Sequence, residues 1–204
     1  MKTAAPPGLY RGDAASRFAA SDVVRLGSIL AVAGGLLWVL SGISNALLVS
    51  GPPFLPPGME FFSSAVSILA ISAILGGSAA LHARQSPSYG WSGRLGFAAS
   101  FAGSATLLVG LPVSAVVGGA LDPVLAAAFW GVMVGLFLLG VATVRLGFLP
   151  QWCGVLLLVA PPLALAAGEY GGGVVFGILW ITLGYSLLSL HDLSAIISAR
   201  EERA

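Results

Sequence analysis

Residues 26–49 read LGSILAVAGGLLWVLSGISNALLV, twenty-four positions without a charged side chain. At 1.5 Å per residue a helix of that length covers about 36 Å, enough to cross the roughly 30 Å of hydrocarbon in a bilayer. In hydrocarbon every backbone N–H and C=O must be paired internally, so an apolar run of this length reads as a helix. Five further runs follow, at 61–81, 95–117, 123–144, 150–167 and 172–190. The expected fold class is therefore all-α, an integral membrane bundle of six transmembrane helices. Composition agrees: 57% of the residues are hydrophobic and 8% are charged, against roughly 25% charged in a soluble domain. One transmembrane domain over 21–192 is expected, flanked by a flexible tail at 1–20 and a short polar tail at 193–204. The start of the chain has no apolar core, and the first apolar run is too long for a signal peptide, so no cleaved leader is expected.

The connections carry the breaker chemistry. Pro52, Pro53, Pro56 and Pro57 crowd the segment 51–58; each fixes φ and lacks an N–H, so a stiff loop is expected there. The polar stretch 82–94 returns the chain to water. Ser21 or Asp22 reads as the N-cap of the first span, Asp122 and Pro123 as N-cap and N1 of the fourth, and Pro150 as the opening of the fifth. The glycine-rich 168–173 reads as a tight turn.

Orientation follows from the basic residues, which are retained on the cytoplasmic side. Lys2, Arg11, Arg17 and Arg25 precede the first span, Arg84 and Arg94 lie between the second and third, Arg145 after the fourth, and Arg200 and Arg203 in the tail. All nine basic residues thus fall on one side of a six-span chain. The other three connections carry only carboxylates, Glu60, Asp122 and Glu169. Both termini are expected to be cytoplasmic.

Arg25-Leu26-Gly27, Arg94-Leu95-Gly96 and Arg145-Leu146-Gly147 each stand where the chain enters the membrane from that side. Three parallel helical hairpins around a common centre are one reading; the frequency of Arg, Leu and Gly at such positions is the other. The last copy continues as Arg145-Leu146-Gly147-Phe148-Leu149-Pro150-Gln151-Trp152. This stretch resembles the connector between the fourth and fifth spans of small, uncharacterised bacterial six-span membrane-protein families, with Gln151 standing where a basic residue is usual. The resemblance implies a six-helix bundle in the bacterial cytoplasmic membrane, and no activity.

Polar residues inside apolar spans are the candidate sites. Asn45 is the only asparagine within a span, with Ser41 on the same span and Ser67 and Ser104 on neighbouring ones. Pro161 and Pro162 remove the hydrogen-bond donors to the carbonyls of Leu157 and Leu158. One reading is a broken fifth helix whose freed carbonyls join Asn45 and the serines in a polar pocket; the other is a kink with local satisfaction. Glu60, Asp122 and Glu169 suit the positive ends of even-numbered helices, or alternatively ring an outer mouth that attracts cations. His82 and His191 fall at one membrane depth and could pair on a haem, although interfacial histidines are ordinary. No cofactor and no metal are otherwise indicated. The single cysteine, Cys153, supports neither a disulfide nor a cysteine zinc site within one chain.

Small residues line faces of the third span (Gly96, Ser100, Gly103, Gly110, Ser114), the fourth (Ala127, Gly131, Gly135) and the sixth (Gly173, Gly177, Gly184). Such faces let helices approach closely, within the chain, against a second copy in a homo-oligomer, or against a membrane-protein partner. The lipid bilayer is the one partner composition demands. A net charge of +1 with scattered basic residues gives no footprint for nucleic acid. No ionisable group lies well inside a span, whereas ion-coupled carriers usually need one. Two function classes survive: a non-catalytic protein that binds a partner protein, lipid or small apolar ligand within its bundle, and a passive or facilitated transporter with a polar pocket at the fifth helix.

Overall fold

The computed structural model describes residues 10–51, 58–85, 90–117, 119–147 and 149–201, with the side chains of 10–21, 115, 169 and 191–201 left outside the description. The proline loop at 52–57 lies outside the described residues. Six helices follow one another, α1 Tyr10–Ser50, α2 Met59–Gln85, α3 Trp91–Val117, α4 Asp122–Leu146, α5 Gln151–Ala167 and α6 Gly172–Glu201, with a short 3-10 turn at Gly168–Tyr170 before the last. No strand occurs among the described residues. Five of the six contain a stretch long and apolar enough to cross a membrane, and α5 is a shorter apolar helix of 17 residues.

The helices overrun the hydropathy boundaries. The stretch 1–20, expected as a flexible tail, is helical from Tyr10, so Ser21 and Asp22 lie inside α1 and not at its start. Ala14, Ala15, Ala19 and Ala20 are strong helix formers and no proline intervenes; at 41 residues α1 is about 62 Å long. Likewise α2 continues to Gln85, because Arg84 and Gln85 end the apolar run without ending the helix. The polar tail at 193–204 extends α6, one of the outcomes open to it, as far as Glu201. At α4 the N-cap is Leu121, and Asp122 is already the first helical residue. Pro150 caps α5 from outside it.

Contacts close the helices into a ring in chain order: α1 against α2, α2 more sparingly against α3, then α3, α4, α5 and α6 in turn, and α6 back against α1. Pairings across the α1–α2, α1–α6 and α3–α4 interfaces run in opposite directions. Gly27 faces Gly76 and Ala80, while Ser41 meets Ser67 and Ser63 meets Asn45. Gly35 faces Gly177 and Gly42 faces Gly173; Gly96 faces Gly135 and Gly103 faces Ala128. Neighbours are therefore antiparallel, and the exposed Arg25, Arg84, Arg94 and Arg145 gather at one end of the bundle.

Closure of the ring depends on backbone contact between α1 and α6. A Cβ on Gly177 would lie 2.5 Å from the Gly35 carbonyl oxygen and 2.8 Å from the Val39 nitrogen, so the two helices touch along their main chains. In hydrocarbon such proximity supplies packing that no hydrophobic effect provides. The three Arg-Leu-Gly copies differ in role. Gly27 and Gly96 sit inside α1 and α3 against the next helix, whereas Gly147 terminates α4 in the left-handed conformation, φ 65°, its N–H donating to the Thr143 carbonyl.

The arginine-bearing half of the bundle is solid. Leu81, Leu139, Leu157, Leu183 and Cys153 are buried at 1% exposure or less and belong to one continuous cluster. His82 stacks on Phe97 there, with ring centroids 4.0 Å apart. The opposite half is hollow.

Candidate functional site

A cavity of about 530 Å³ occupies the half of the bundle that carries the connections at 51–58, 118–121 and 168–171. All six helices line it, all but α5 through residues three or four apart: Trp38, Ser41 and Asn45 of α1; Ser67, Ile71, Ile74 and Ser78 of α2; Ser100, Ser104, Leu107 and Leu111 of α3. From the other side come Phe129, Val132, Met133 and Leu136 of α4, Ala164 and Leu165 of α5, and Phe176 and Trp180 of α6. That spacing is the repeat of one helix face. No charged side chain is among these lining residues.

The polar groups are arranged by the α1–α2 pair. Ser67 donates its hydroxyl proton to the Ser63 carbonyl at 2.9 Å, so the 2.6 Å contact between the Ser41 and Ser67 hydroxyls has Ser41 as donor. One turn further out, Ser63 donates to Asn45 Oδ1 at 2.6 Å. Each serine is thereby committed within the protein, but the Asn45 Nδ2 group, with two donors, has no described acceptor. On the neighbouring α3, Ser100 donates to the Phe97 carbonyl at 3.1 Å. Ser78 and Ser104 are only 4% and 7% exposed, yet neither hydroxyl is hydrogen-bonded to a described residue. Both belong to the cavity wall.

The opposite wall is apolar and aromatic. Trp38 packs on Phe176 at 5.8 Å between centroids, and Phe176 meets Trp180 edge-on at 6.4 Å. Trp180 is buried, and its Nε1 has no described partner.

Ser41, Asn45, Ser67 and Ser104, separated by up to 63 positions in the sequence (104 − 41), are thus brought to one cavity. The proline half of the expected pocket is not there. Helix α5 is unbroken from Gln151 to Ala167 through Pro161 and Pro162. A helical φ is the one proline already has, and two missing donors do not end a helix packed on both sides. Leu157 is fully buried in the solid half of the bundle, and Leu158 packs against Gly140. Pro161 and Pro162 line a separate apolar groove of about 260 Å³ with Met133, Val134, Phe137 and Leu165.

Neither Glu60 nor Asp122 is a lining residue; both are exposed in the first turns of their helices. Asp122 accepts a hydrogen bond from the Ser114 hydroxyl at 3.2 Å. The Glu169 side chain lies outside the described residues, as does that of His191, while His82 is engaged by Phe97. Among the described residues no three or more His, Cys, Asp or Glu side chains are grouped to hold a metal ion. The small-residue faces of α3 and α6 are covered inside the chain by α4 and α1, whereas Ala127 of α4 is exposed.

Two polar features escaped the sequence. Ser78 shares a face with Ser63 and Ser67, at offsets of 15 and 11 residues, which is helical spacing and was visible. Gln85 is 1% exposed and its Oε1 accepts from the Thr143 hydroxyl at 3.2 Å; it was hidden because the hydropathy boundary stopped short of it. Compared with models of protein families, with curated proteins and with solved structures, the chain matches none of them.

Proposed function

We propose that this protein spans a bacterial cytoplasmic membrane six times, with both termini in the cytoplasm, and binds a small, largely apolar ligand inside its helical bundle without chemically transforming it. One observation carries the reading: the cavity of about 530 Å³ walled by all six helices. Small-molecule sites typically enclose about 300–1,000 Å³, mostly apolar, with a few placed polar groups. The lining has that make-up, and it lacks the ionisable groups that acid–base or nucleophilic chemistry uses. Six spans are supported by α5, which at 17 residues covers about 26 Å and would cross a slightly thinned bilayer. The cytoplasmic placement of the termini is supported by the arginines gathered at one end. The small-residue faces of α3 and α6 are already used within the chain, which favours a ligand inside the bundle over a partner docked on them.

Trp38 and Trp180 line the cavity, so tryptophan fluorescence reports its occupancy. In lipid nanodiscs, 1-bromododecane is expected to quench the protein saturably, and the saturable part should vanish in Ala164→Phe, which fills the cavity from α5. Quenching that rises without saturation, equally in both proteins, refutes the proposal.

A second reading, passive transport of a small neutral molecule, draws on the exposed position of Asn45 at the outer end of the lining. Leu81, Leu139 and Leu183 fill the bundle below, so transport requires that half to open. Ligand flux in proteoliposomes, abolished by Ala164→Phe, would favour transport over binding alone.

A further inference from the structure

The cavity's hydroxyl and amide side chains are not scattered around its wall, and Trp180 Nε1, on the far side, is covered and out of a ligand's reach. Every polar aliphatic or amide lining residue comes from α1, α2 or α3, namely Ser41, Asn45, Ser67, Ser78, Ser100 and Ser104, and α4 and α5 contribute none. From α6 come two glycines and the rings of Phe176 and Trp180. The polar side also runs lengthwise. Ser67 and Ser78 are eleven residues apart on α2, which places them about 16 Å apart along the helix axis. Asn45 lies near one end of that stripe, beside Ser63 and next to Ser67.

Along the stripe, three groups have hydrogen-bonding capacity that the described protein does not use: the Asn45 Nδ2 donors, and the hydroxyls of Ser78 and Ser104, residues 4% and 7% exposed whose oxygens stay open to the cavity. A serine in a helix ordinarily donates to the carbonyl four residues back. In this chain Ser28, Ser44, Ser67, Ser72 and Ser186 all do so. Ser78 and Ser104 depart from that habit, and both face the cavity. A polar group covered without a partner is costly, so a ligand that fills the cavity over these hydroxyls is favoured when it supplies them an acceptor or donor.

Resting on the ligand-binding reading above, we infer that the ligand is an uncharged, facially amphipathic molecule: an elongated body with hydroxyl or carbonyl groups along one edge and an unbroken apolar face on the other. The polar edge lies on α1–α3 and meets Asn45, Ser104 and Ser78 in order from the outer end inward; the apolar face lies on Met133, Leu136, Phe176 and Trp180. A formal charge on the ligand is excluded by the wall, which offers no counter-ion to offset desolvation. A head-to-tail amphiphile fits less well, because its apolar tail would cover the Ser104 and Ser78 hydroxyls when its polar end lies at Asn45. Simple hydration of the stripe is the competing account.

The test compares two competitors that share one skeleton, 3α,7α,12α-trihydroxy-5β-cholane, with three hydroxyls on one face, and 5β-cholane, with none. Each displaces 1-bromododecane from the full-length protein in nanodiscs, read as recovery of tryptophan fluorescence. Ser78→Ala and Ser104→Ala remove hydroxyls that hold no described protein partner, so the double variant is expected to fold and to retain the bromododecane signal. The triol should displace about tenfold less effectively from the double variant than from the wild type, and cholane should be unchanged. Comparing proteins and not competitors cancels partition into the bilayer. Equal displacement by the triol from both proteins, or no displacement at all where bromododecane binds saturably, overturns the facial assignment. Absence of saturable bromododecane quenching instead removes the ligand-binding reading beneath it.

Discussion

Ser67 shows how much one residue decides. Its proton goes to the Ser63 carbonyl, which makes Ser41 a donor and leaves Asn45 with its amide hydrogens unspent. That Ser41, Asn45, Ser67 and Ser104 are polar islands in apolar helices was legible from the sequence. Which of their groups would be satisfied locally was not, since that depends on the neighbouring helix. Gln85 illustrates the opposite case, a buried amide on the solid side of the bundle, held through Oε1 by Thr143 and with no described partner at Nε2. Losing one member of such a pair costs more than losing both, because the orphaned group keeps its desolvation penalty. Thr143→Val is therefore expected to lower the unfolding free energy by about 1–3 kcal/mol. The double variant with Gln85→Leu should recover part of that loss in thermal denaturation of the purified protein. A double variant less stable than Thr143→Val would show that the amide is satisfied in some other way.

At the scale of the helix, the elements were legible and their limits were not. Hydropathy finds where lipid begins, whereas a helix ends where its backbone runs out of propensity or meets a breaker, and Tyr10–Ser21 and His82–Gln85 contain no proline. Pro161 and Pro162 are breakers by composition, but they sit in a helix held on two sides by α4 and α6, and the ladder continues. Glycines carry a sharper element-scale consequence. A Cβ on Gly177 would meet Gly35 backbone at 2.5 Å, while one on Gly131 would meet nothing nearer than the Ala99 carbonyl oxygen at 3.5 Å. Gly177→Ala should thus push α6 off α1 and destabilise the protein by about 1–3 kcal/mol. Gly131→Ala should be neutral or gain up to about 1 kcal/mol from helix propensity. Unfolding midpoints of the two variants in the same detergent give the comparison, and equal midpoints would mean that the α1–α6 contact does not hold the ring closed.

For the whole molecule, the alternation of basic and acidic connections foretold that successive helices reverse direction, and the pairings across the α1–α2, α1–α6 and α3–α4 interfaces agree with it. What no linear pattern could supply was the closure of α6 onto α1, the step that turns six helices into a wall around a cavity. Closure also places the cavity in the half away from the arginines, and so, on the orientation proposed above, facing outward from the cytoplasm. A labelling experiment decides that placement. Cys153 has 0% exposure, so the native thiol should react with a membrane-impermeant maleimide from neither side of a folded protein and serves as the blank. Ser50 ends α1 and Gln151 begins α5, both exposed and at opposite ends of the bundle. Ser50→Cys should label in intact cells, and Gln151→Cys only in inverted vesicles. The reverse pattern would put the arginines and both termini outside and turn the cavity toward the cytoplasm, where a different pool of ligands would reach it.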